Sequence, residues 1–180
     1  MTILPTVISR TELSNTFLGD LIQVCVVTRN HRKTIDGLIK LGFGPWAVRT
    51  WDNTNLTETT FRGKPGQFSM KICLANSRNM MWEVIEPIAG PSIYTEFLER
   101  HGEGVQHLTF NCAGTPYAER VQSFVQRGYQ VIQSGIYLGK LRFHYFATED
   151  DARTVFEIFS LPRGSALPPP EEWIPGPSPA

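Results

Sequence analysis

Residues 104–112 read GVQHLTFNC and residues 21–27 read LIQVCVV, two short runs in which polar and apolar side chains alternate. Such alternation is typical of a β-strand with one face against a core. Each run is followed by an amphipathic stretch with helical spacing, PYAERVQSFVQRGY after the first of these runs and TIDGLIKLGF after the second. The same strand and helix order in both halves indicates that one unit occurs twice.

Three further strand-like runs complete each unit. The first half contains WAVRTW (46–51), FSMKICLA (68–75) and MMWEVIEP (80–87), and the second contains QVIQSG (130–135), LRFHYFAT (141–148) and RTVFEIFSL (153–161). Alignment of the halves places Gln23 on His107 and Glu83 on Glu157. One such unit is too small to bury its own sheet face. We therefore predict an α+β domain of two βαβββ modules, at about 20–90 and 103–161, that close against each other.

The two ends of the chain differ from this body. We expect residues 1–20 to be an N-terminal leader, and residues 162–180 to be a C-terminal tail. The tail is rich in proline, which excludes long helices and central strands. Trp173 could attach it to the body or to a partner, and a free, mobile tail is the alternative.

Composition narrows the function. The chain has 180 residues, with 17 Lys+Arg against 17 Asp+Glu and three cysteines. A balanced charge without a basic run argues against nucleic acid and membrane-surface partners. An odd number of cysteines argues against a disulfide scaffold, and buried inert thiols are the expected role of Cys25, Cys73 and Cys112. With no basic region and apolar block at the N-terminus, we expect a cytoplasmic protein.

Strand alternation predicts which side chains share a face. On the face turned away from the helices it places two ligand-type side chains on the first strands and two carboxylates on the last strands, namely Gln23, His107, Glu83 and Glu157. A carboxylate among apolar neighbours is costly to bury unless it is paired or bound to a cation. Two of them at equivalent positions indicate a divalent metal. The alternatives are a glutamate paired with an arginine at the sheet rim and a hydrogen-bonded core histidine.

The segment FLERHGEGVQHLTFN, with WEVIEPIAG before it, resembles the glyoxalase and methylmalonyl-CoA epimerase branch of the vicinal oxygen chelate superfamily. LIQVCVVTRN, LGFGPW and TVFEIF occur in the matching order, and the resemblance covers about residues 20–161. It implies paired βαβββ modules that form a cupped, barrel-like mixed sheet around an active cavity. It also implies a metal held by the first and last strand of each module, at Gln23, Glu83, His107 and Glu157.

The identity of these donors bears on the metal. Two carboxylates, an amide oxygen and an imidazole suit Zn²⁺, Mn²⁺, Fe²⁺, Co²⁺, Ni²⁺ or Mg²⁺. The same set resembles that of eukaryotic-type glyoxalase I, which makes zinc the first choice. Extradiol dioxygenases of the superfamily hold iron with two histidines and a glutamate, and Gln23 at the first histidine position argues against oxygen chemistry.

The resemblance implies an isomerase, epimerase or lyase that abstracts a proton beside a carbonyl group and forms a metal-stabilised enolate. It nominates Glu157 or Glu83 as the base, and His144 could be an auxiliary acid or base. The epimerases carry a separate glutamate before the third strand of the first module, where this chain reads GKPGQFSMK (63–71) without a carboxylate. ATEDDARTV (147–155) and HRKTIDG (31–37) likewise depart from the patterns of CoA and glutathione enzymes.

The substrate is expected to be a small carbonyl compound, aromatic or polyketide-like. The side chains predicted to line its cavity are Arg49, Trp51, Lys71, Thr109, Phe143 and Tyr145. A non-catalytic small-molecule binding protein is the second hypothesis, and an Fe(II) dioxygenase is the third. Because duplicated units leave strand edges, we also expect a homodimer, with the modules paired within one chain or exchanged between two.

Overall fold

A computed structural model describes residues 17–78, 80–111 and 114–176 of the chain. Within these ranges it contains eleven strands and four helices. The strands are Leu21–Val27 (β1), Trp46–Trp51 (β2), Leu56–Phe61 (β3), Lys64–Pro65 (β4), Ser69–Asn76 (β5), Met81–Ala89 (β6), Gly104–Phe110 (β7), Val131–Tyr137 (β8), Leu141–Phe146 (β9), Val155–Ser160 (β10) and Glu172–Ile174 (β11). The helices are His31–Lys40 (α1), Ile93–His101 (α2), Tyr117–Gln126 (α3) and Glu149–Ala152 (α4).

All the strands belong to one mixed, cupped sheet, in the order β11-β2-β5-β6-β1-β7-β10-β9-β8-β3-β4. The order β2-β5-β6-β1 in the first half returns as β8-β9-β10-β7 in the second. The halves meet where β1 pairs with β7 in antiparallel fashion, so the modules pair within one chain. The predicted fold of two βαβββ modules is confirmed.

The strand register repeats along with the strand order. In the first module Gln23 pairs with Met81 and Cys25 with Glu83. In the second module His107 pairs with Val155, and Thr109 with Glu157. The alignment that superimposed Gln23 on His107 and Glu83 on Glu157 therefore describes real structural equivalence, and it makes Thr109 the equivalent of Cys25.

Helices α1 and α3 cover the convex side of the sheet. Helix α1 begins after Asn30, whose side chain accepts a hydrogen bond from the backbone of Lys33, and it packs Ile35 against Val84 and Trp46. Helix α3 packs Phe124 on Phe146, with ring centroids 4.0 Å apart. Val84 of β6 and Ile158 of β10, which alternation assigns to the helix faces, belong to these two contact clusters. None of the helices in the described part of the chain is long and apolar enough to cross a membrane.

Strand β3 and helix α2 are among the elements that were not predicted. Strand β3 follows β2 directly but pairs with β8 of the other module. Its sequence, LTETTF, has little apolar alternation, so local pattern alone does not reveal it. Helix α2 begins after Ser92, whose hydroxyl accepts a hydrogen bond from the backbone of Thr95, and its Tyr94 reaches the core inside the cup.

The C-terminal segment crosses the concave side of the sheet from β10 to β2. Leu161 and Leu167 pack against the core inside the cup, and β11 pairs with β2, where Trp173 lies opposite Ala47. Glu171 accepts hydrogen bonds from Thr50 and Lys71. The tail is therefore attached to the body, at least as far as residue 176. The expected leader lies outside the described residues up to position 16.

Candidate functional site

Three charged or ionisable side chains meet inside the cup. The Nε2 atom of His107 lies 3.2 Å from Oε2 of Glu83 and 3.4 Å from Oε2 of Glu157. His107 is fully buried, and the two glutamates are 6% and 5% exposed. The strand register explains the meeting, because β1 and β7 are central neighbours and β6 and β10 flank them. Gln23, the fourth predicted ligand, is buried on the concave face of β1, where it is the strand-pairing partner of Thr109 in β7.

The imidazole of His107 is held in one orientation. Its Nδ1 atom lies 2.7 Å from the amide oxygen of Gln106, which can only accept a hydrogen bond, so Nδ1 is the donor. The edge of the Tyr145 ring packs against the imidazole, at 5.0 Å between centroids. Nε2 is thereby turned toward the two carboxylates, an arrangement typical of histidine ligands whose other nitrogen donates to a fixed partner.

The charges around His107 are strongly coupled. Burial by itself would lower the pKa of His107, but contact with Glu157 and Glu83 more than offsets that effect and raises the pKa to about 9. Without another cation, the imidazole therefore carries the proton that balances the buried carboxylates. Nevertheless, Oε2 of Glu83 and Nε2 of His107 have no hydrogen-bond partner among the described residues.

The remaining polar neighbours differ between the two halves. Thr109 donates a hydrogen bond to Oε2 of Glu157. At the equivalent position, the Cys25 sulfur, a Glu83 oxygen and a His107 nitrogen lie within 4.8 Å of one another. Burial, followed by the nearby charge of Glu83, raises the pKa of the Cys25 thiol well above its usual value. The alternation of β1 already placed Cys25 on the inner face, but the expectation of an inert thiol led us to leave it out of the site.

The cluster fits a divalent cation. Buried oxygen and nitrogen atoms without hydrogen-bond partners face one another, which is costly unless a cation or a shared proton lies between them. Bonds of about 2.1 Å to one ion place neighbouring donors about 3.0–3.4 Å apart, close to the separations from His107 to the two glutamates. The donors that would hold such an ion are Glu83, His107 and Glu157, with Gln23 on the same face.

The predicted pocket residues separate into four groups. Thr109 and Tyr145 lie beside the cluster, and Tyr145 shares a 2.8 Å hydrogen bond with Tyr94 of α2. Trp51 and Phe143 belong to the buried core of the cup, where Trp51 stacks on Tyr137 with centroids 4.1 Å apart.

Arg49 lines a cavity of about 350 Å³ together with Leu74, Met81, Leu167 and Trp173. Its guanidinium donates to the carbonyl oxygen of Pro168 in the tail. Two residues of this wall lie next to cluster residues in the sheet, because Leu74 pairs with Glu83 and Met81 pairs with Gln23.

Lys71 was placed wrongly. It lies on the same face of β5 as Cys73, which packs under α1. Its ammonium group contacts Thr50 and Glu171 rather than the cavity. The other phase, Met70 and Ile72, faces the inside of the cup. Both phases of FSMKICLA carry apolar side chains, so alternation alone did not decide between them.

His144 was also placed wrongly as an auxiliary acid or base. Phe143 and Tyr145 take the inner face of β9, so His144 points to the convex side, where its Nδ1 atom lies 2.7 Å from the hydroxyl of Tyr117 in α3. Burial and the nearby Arg142 lower its pKa to about 4. It is therefore a neutral packing residue, separated from the cluster by the sheet.

Cys73 does not contribute to the cluster. Cys73 is a buried free thiol on the convex face, and burial, followed by Glu83, raises its pKa to about 12. Cys112 lies outside the described residues. Two positions that the sequence reasoning missed, Gln106 and Tyr94, support the cluster from β7 and α2. Neither could be found from alternation, because one lies next to a register shift in β7 and the other belongs to a helix that was not predicted.

Comparison with known proteins agrees with this architecture. Residues 22–148 match the family model described as the Glyoxalase/Bleomycin resistance protein/Dioxygenase superfamily. No curated protein sequence matches the chain.

Solved structures share the fold at low sequence identity. A hypothetical protein from Bacillus halodurans superposes with a TM-score of 0.61 at 14% identity, over 82% of this chain and 98% of that one. Methylmalonyl-CoA epimerase from Mycobacterium tuberculosis gives 0.57 at 13% identity, over 83% and 93%. A mutant of 4-hydroxymandelate synthase from Streptomyces coelicolor gives 0.55 at 18% identity, over 86% and 41%. The family match spans well over half of the sequence, and the chain belongs to the Glyoxalase/Bleomycin resistance protein/Dioxygenase superfamily.

Proposed function

We propose that this protein is a metal-dependent enzyme that removes a proton beside the carbonyl group of a small substrate, as an isomerase, epimerase or lyase. One observation carries the proposal: Nε2 of His107 faces Oε2 of Glu83 and Oε2 of Glu157 at 3.2 and 3.4 Å in a buried site. Two buried carboxylates beside one imidazole are expensive for a merely structural core, since a single imidazole proton cannot balance both charges.

Glu83, His107 and Glu157 would hold the ion, with Gln23 beside them. When bound, a divalent ion supplies Lewis-acid stabilisation of negative charge that develops on a carbonyl oxygen. Gln106 fixes the ring of His107 so that the same nitrogen always faces the site. The walls formed by Tyr94 and Tyr145 are buried and keep water away from this side of the cluster.

Glu83 is the stronger choice for the base. Glu157 is restrained by the hydrogen bond that its Oε2 accepts from Thr109. Oε2 of Glu83 has no such partner within the described part of the chain, so it is freer to turn and accept a proton. The segment GKPGQFSMK holds no carboxylate, which supports a base among the cluster glutamates.

The substrate would occupy the cavity of about 350 Å³ next to the cluster. That volume suits a small molecule. Arg49 is a cation in its wall, and it favours a compound with a carboxylate or an enol oxygen. Trp173 supplies an aromatic surface from the tail, in keeping with an aromatic substrate. We further propose a homodimer, and a cytoplasmic location in which Cys25 and Cys73 stay reduced.

Solvent deuterium exchange tests this function. The zinc-loaded protein is incubated in deuterated buffer with benzoylacetate, with methylmalonyl-CoA and with the hemithioacetal of methylglyoxal and glutathione, and loss of the α-proton signal is followed by proton NMR. We expect enzyme-dependent exchange with the aromatic ketoacid, abolished by chelation and reduced at least about 100-fold in Glu83→Gln. His144→Gln, on the convex face, is the matched control and should keep full exchange.

A binding protein without catalysis is the second candidate. The tail that covers the concave side, with its Pro168 carbonyl held by Arg49, would suit retention of a ligand. In that case calorimetry would detect binding of benzoylacetate, while none of the three compounds would exchange protons faster than in buffer. Oxygen consumption by the Fe²⁺-loaded protein would instead favour dioxygenase chemistry.

A further inference from the structure

We propose that Cys25 is an additional, sulfur ligand of the ion in this cluster. The inference rests on the proposed metal site and goes beyond it, because it adds a soft donor to a set of oxygen and nitrogen ligands. It concerns a residue that strand pairing places between two of the other donors.

The register brings Cys25 into the cluster from both sides. On β1 it pairs with Glu83 of β6 and with His107 of β7. Its sulfur, a carboxylate oxygen of Glu83 and a nitrogen of His107 all lie within 4.8 Å of one another. Cys25 and His107 are fully buried, and Glu83 is 6% exposed. Donors bound to one ion at about 2.0–2.3 Å lie within such a distance of each other.

The internal repeat places Cys25 at the position of Thr109, within hydrogen-bonding reach of Glu83. Thr109 donates to Oε2 of Glu157, which satisfies that oxygen. In the first module, Oε2 of Glu83 nonetheless has no hydrogen-bond partner among the described residues. Nε2 of His107 is also without one among the described residues. An ion bound by Cys25, Glu83 and His107 would satisfy both of these buried atoms. Without the ion, the two atoms are expected to lack partners, as they do here.

Sulfur ligation would change the selectivity of the site. A thiolate favours zinc and cobalt and disfavours magnesium, which prefers oxygen donors. On binding, the sulfur–metal bond forms, the thiol proton of Cys25 and the Nε2 proton of His107 pass to solvent, and the site gains a third negative ligand. Fewer positions then remain open on the ion. A substrate bound through one oxygen is favoured over one that chelates through two.

Cobalt spectroscopy and X-ray absorption test this proposal. The full-length protein is loaded with Co²⁺ in buffer without thiol reductants, and its visible and near-ultraviolet spectra are compared with those of Cys25→Ser. Cys73→Ser is the matched control, since it removes a buried thiol from the convex face of the same sheet. We expect a sulfur-to-cobalt charge-transfer band in wild type and Cys73→Ser, and its loss in Cys25→Ser with the weaker visible cobalt bands retained.

X-ray absorption of zinc-loaded wild-type protein needs no variant that could fail to fold. It should contain one sulfur scatterer at about 2.3 Å. Bound zinc or cobalt with only nitrogen and oxygen neighbours would overturn the role of Cys25 while leaving the metal site intact. Absence of any bound ion would overturn the metal site itself and the proposed function with it.

Discussion

Protonation of His144 provides a sharp test of the placement of β9, because the histidine is trapped in its neutral form. Burial and Arg142 lower its pKa from 6.5 to about 4. A histidine that is harder to protonate when folded makes the unfolded state take up more protons between these two pH values. The contribution of neutral His144 to the free energy of unfolding is therefore complete above pH 6.5. It is lost progressively as the pH falls toward 4.

The size of the effect follows from the same two values. A full shift from 6.5 to about 4 corresponds to about 3 kcal/mol. Lowering the pH from 7 to 5 passes through most of that window, and His144 alone should reduce the free energy of unfolding by about 2 kcal/mol. The hydrogen bond to Tyr117 in α3 would also be disturbed if the imidazole became charged.

Urea unfolding followed by tryptophan fluorescence, at pH 7 and at pH 5, measures this contribution. We expect wild type to lose about 2 kcal/mol more than His144→Gln over this interval, since glutamine cannot titrate but can still bond to Tyr117. His101→Gln, at an exposed histidine of α2, is the control and should behave like wild type. Equal pH dependence in wild type and His144→Gln would show that this histidine is not held neutral beneath α3, and our description of β9 would be wrong.

Three other perturbations give separable results. Tyr145→Phe leaves the buried hydroxyl of Tyr94 without its partner and should lower the free energy of unfolding by about 1–3 kcal/mol. The double variant Tyr94→Phe/Tyr145→Phe should recover much of that loss. Additive losses in a double-mutant cycle followed by thermal unfolding would contradict the hydrogen bond. Zinc at about 1,000 times its Kd should stabilise wild type by about 4 kcal/mol and raise its Tm by roughly 8–16 °C. His107→Ala should abolish this rise in Tm. An equal rise in that variant would show that zinc binds elsewhere. Arg49→Met removes the hydrogen bond to the Pro168 carbonyl and should increase tryptic cleavage after Arg163 at least about threefold, as measured by mass spectrometry. Unchanged cleavage would mean that other contacts attach the tail.

Much of the site could be predicted because it depends on alternation in strands with one clearly apolar face. In β1 and β10 the residues beneath the helices, such as Val26 and Ile158, are apolar, which leaves Gln23 and Glu157 for the inside. The duplication then supplied the equivalent positions without knowledge of any long-range contact.

Alternation failed where both faces of a strand are apolar. In β9, Phe143 and Tyr145 lie on one face, and His144 shares the other face with Phe146. Both faces carry aromatic side chains, so nothing local decides which face lies under α3. Lys71 in β5 has the same ambiguity. The phase is set instead by long-range pairing, which the sequence of one strand does not contain.

The parts that escaped prediction depend on contacts distant in sequence. Strand β3 is stabilised by β8 of the other module, from Leu56 opposite Tyr137 to Phe61 opposite Gln133. The proline-rich tail has no local strand pattern, but three of its residues extend the sheet at β2. Neither pairing has a local signature, because each needs an edge that another part of the chain provides.

Metal content of the purified protein is the most direct test of the site. Wild type and the double variant Glu83→Gln/Glu157→Gln would be incubated with zinc, freed of loosely bound ions, checked for folding by circular dichroism and analysed by inductively coupled plasma mass spectrometry. We predict about one zinc ion per wild-type chain and less than about a tenth as much in the folded double variant. Folded wild type without a stoichiometric ion, or full metal content in the double variant, would contradict the assignment of these buried glutamates as metal ligands.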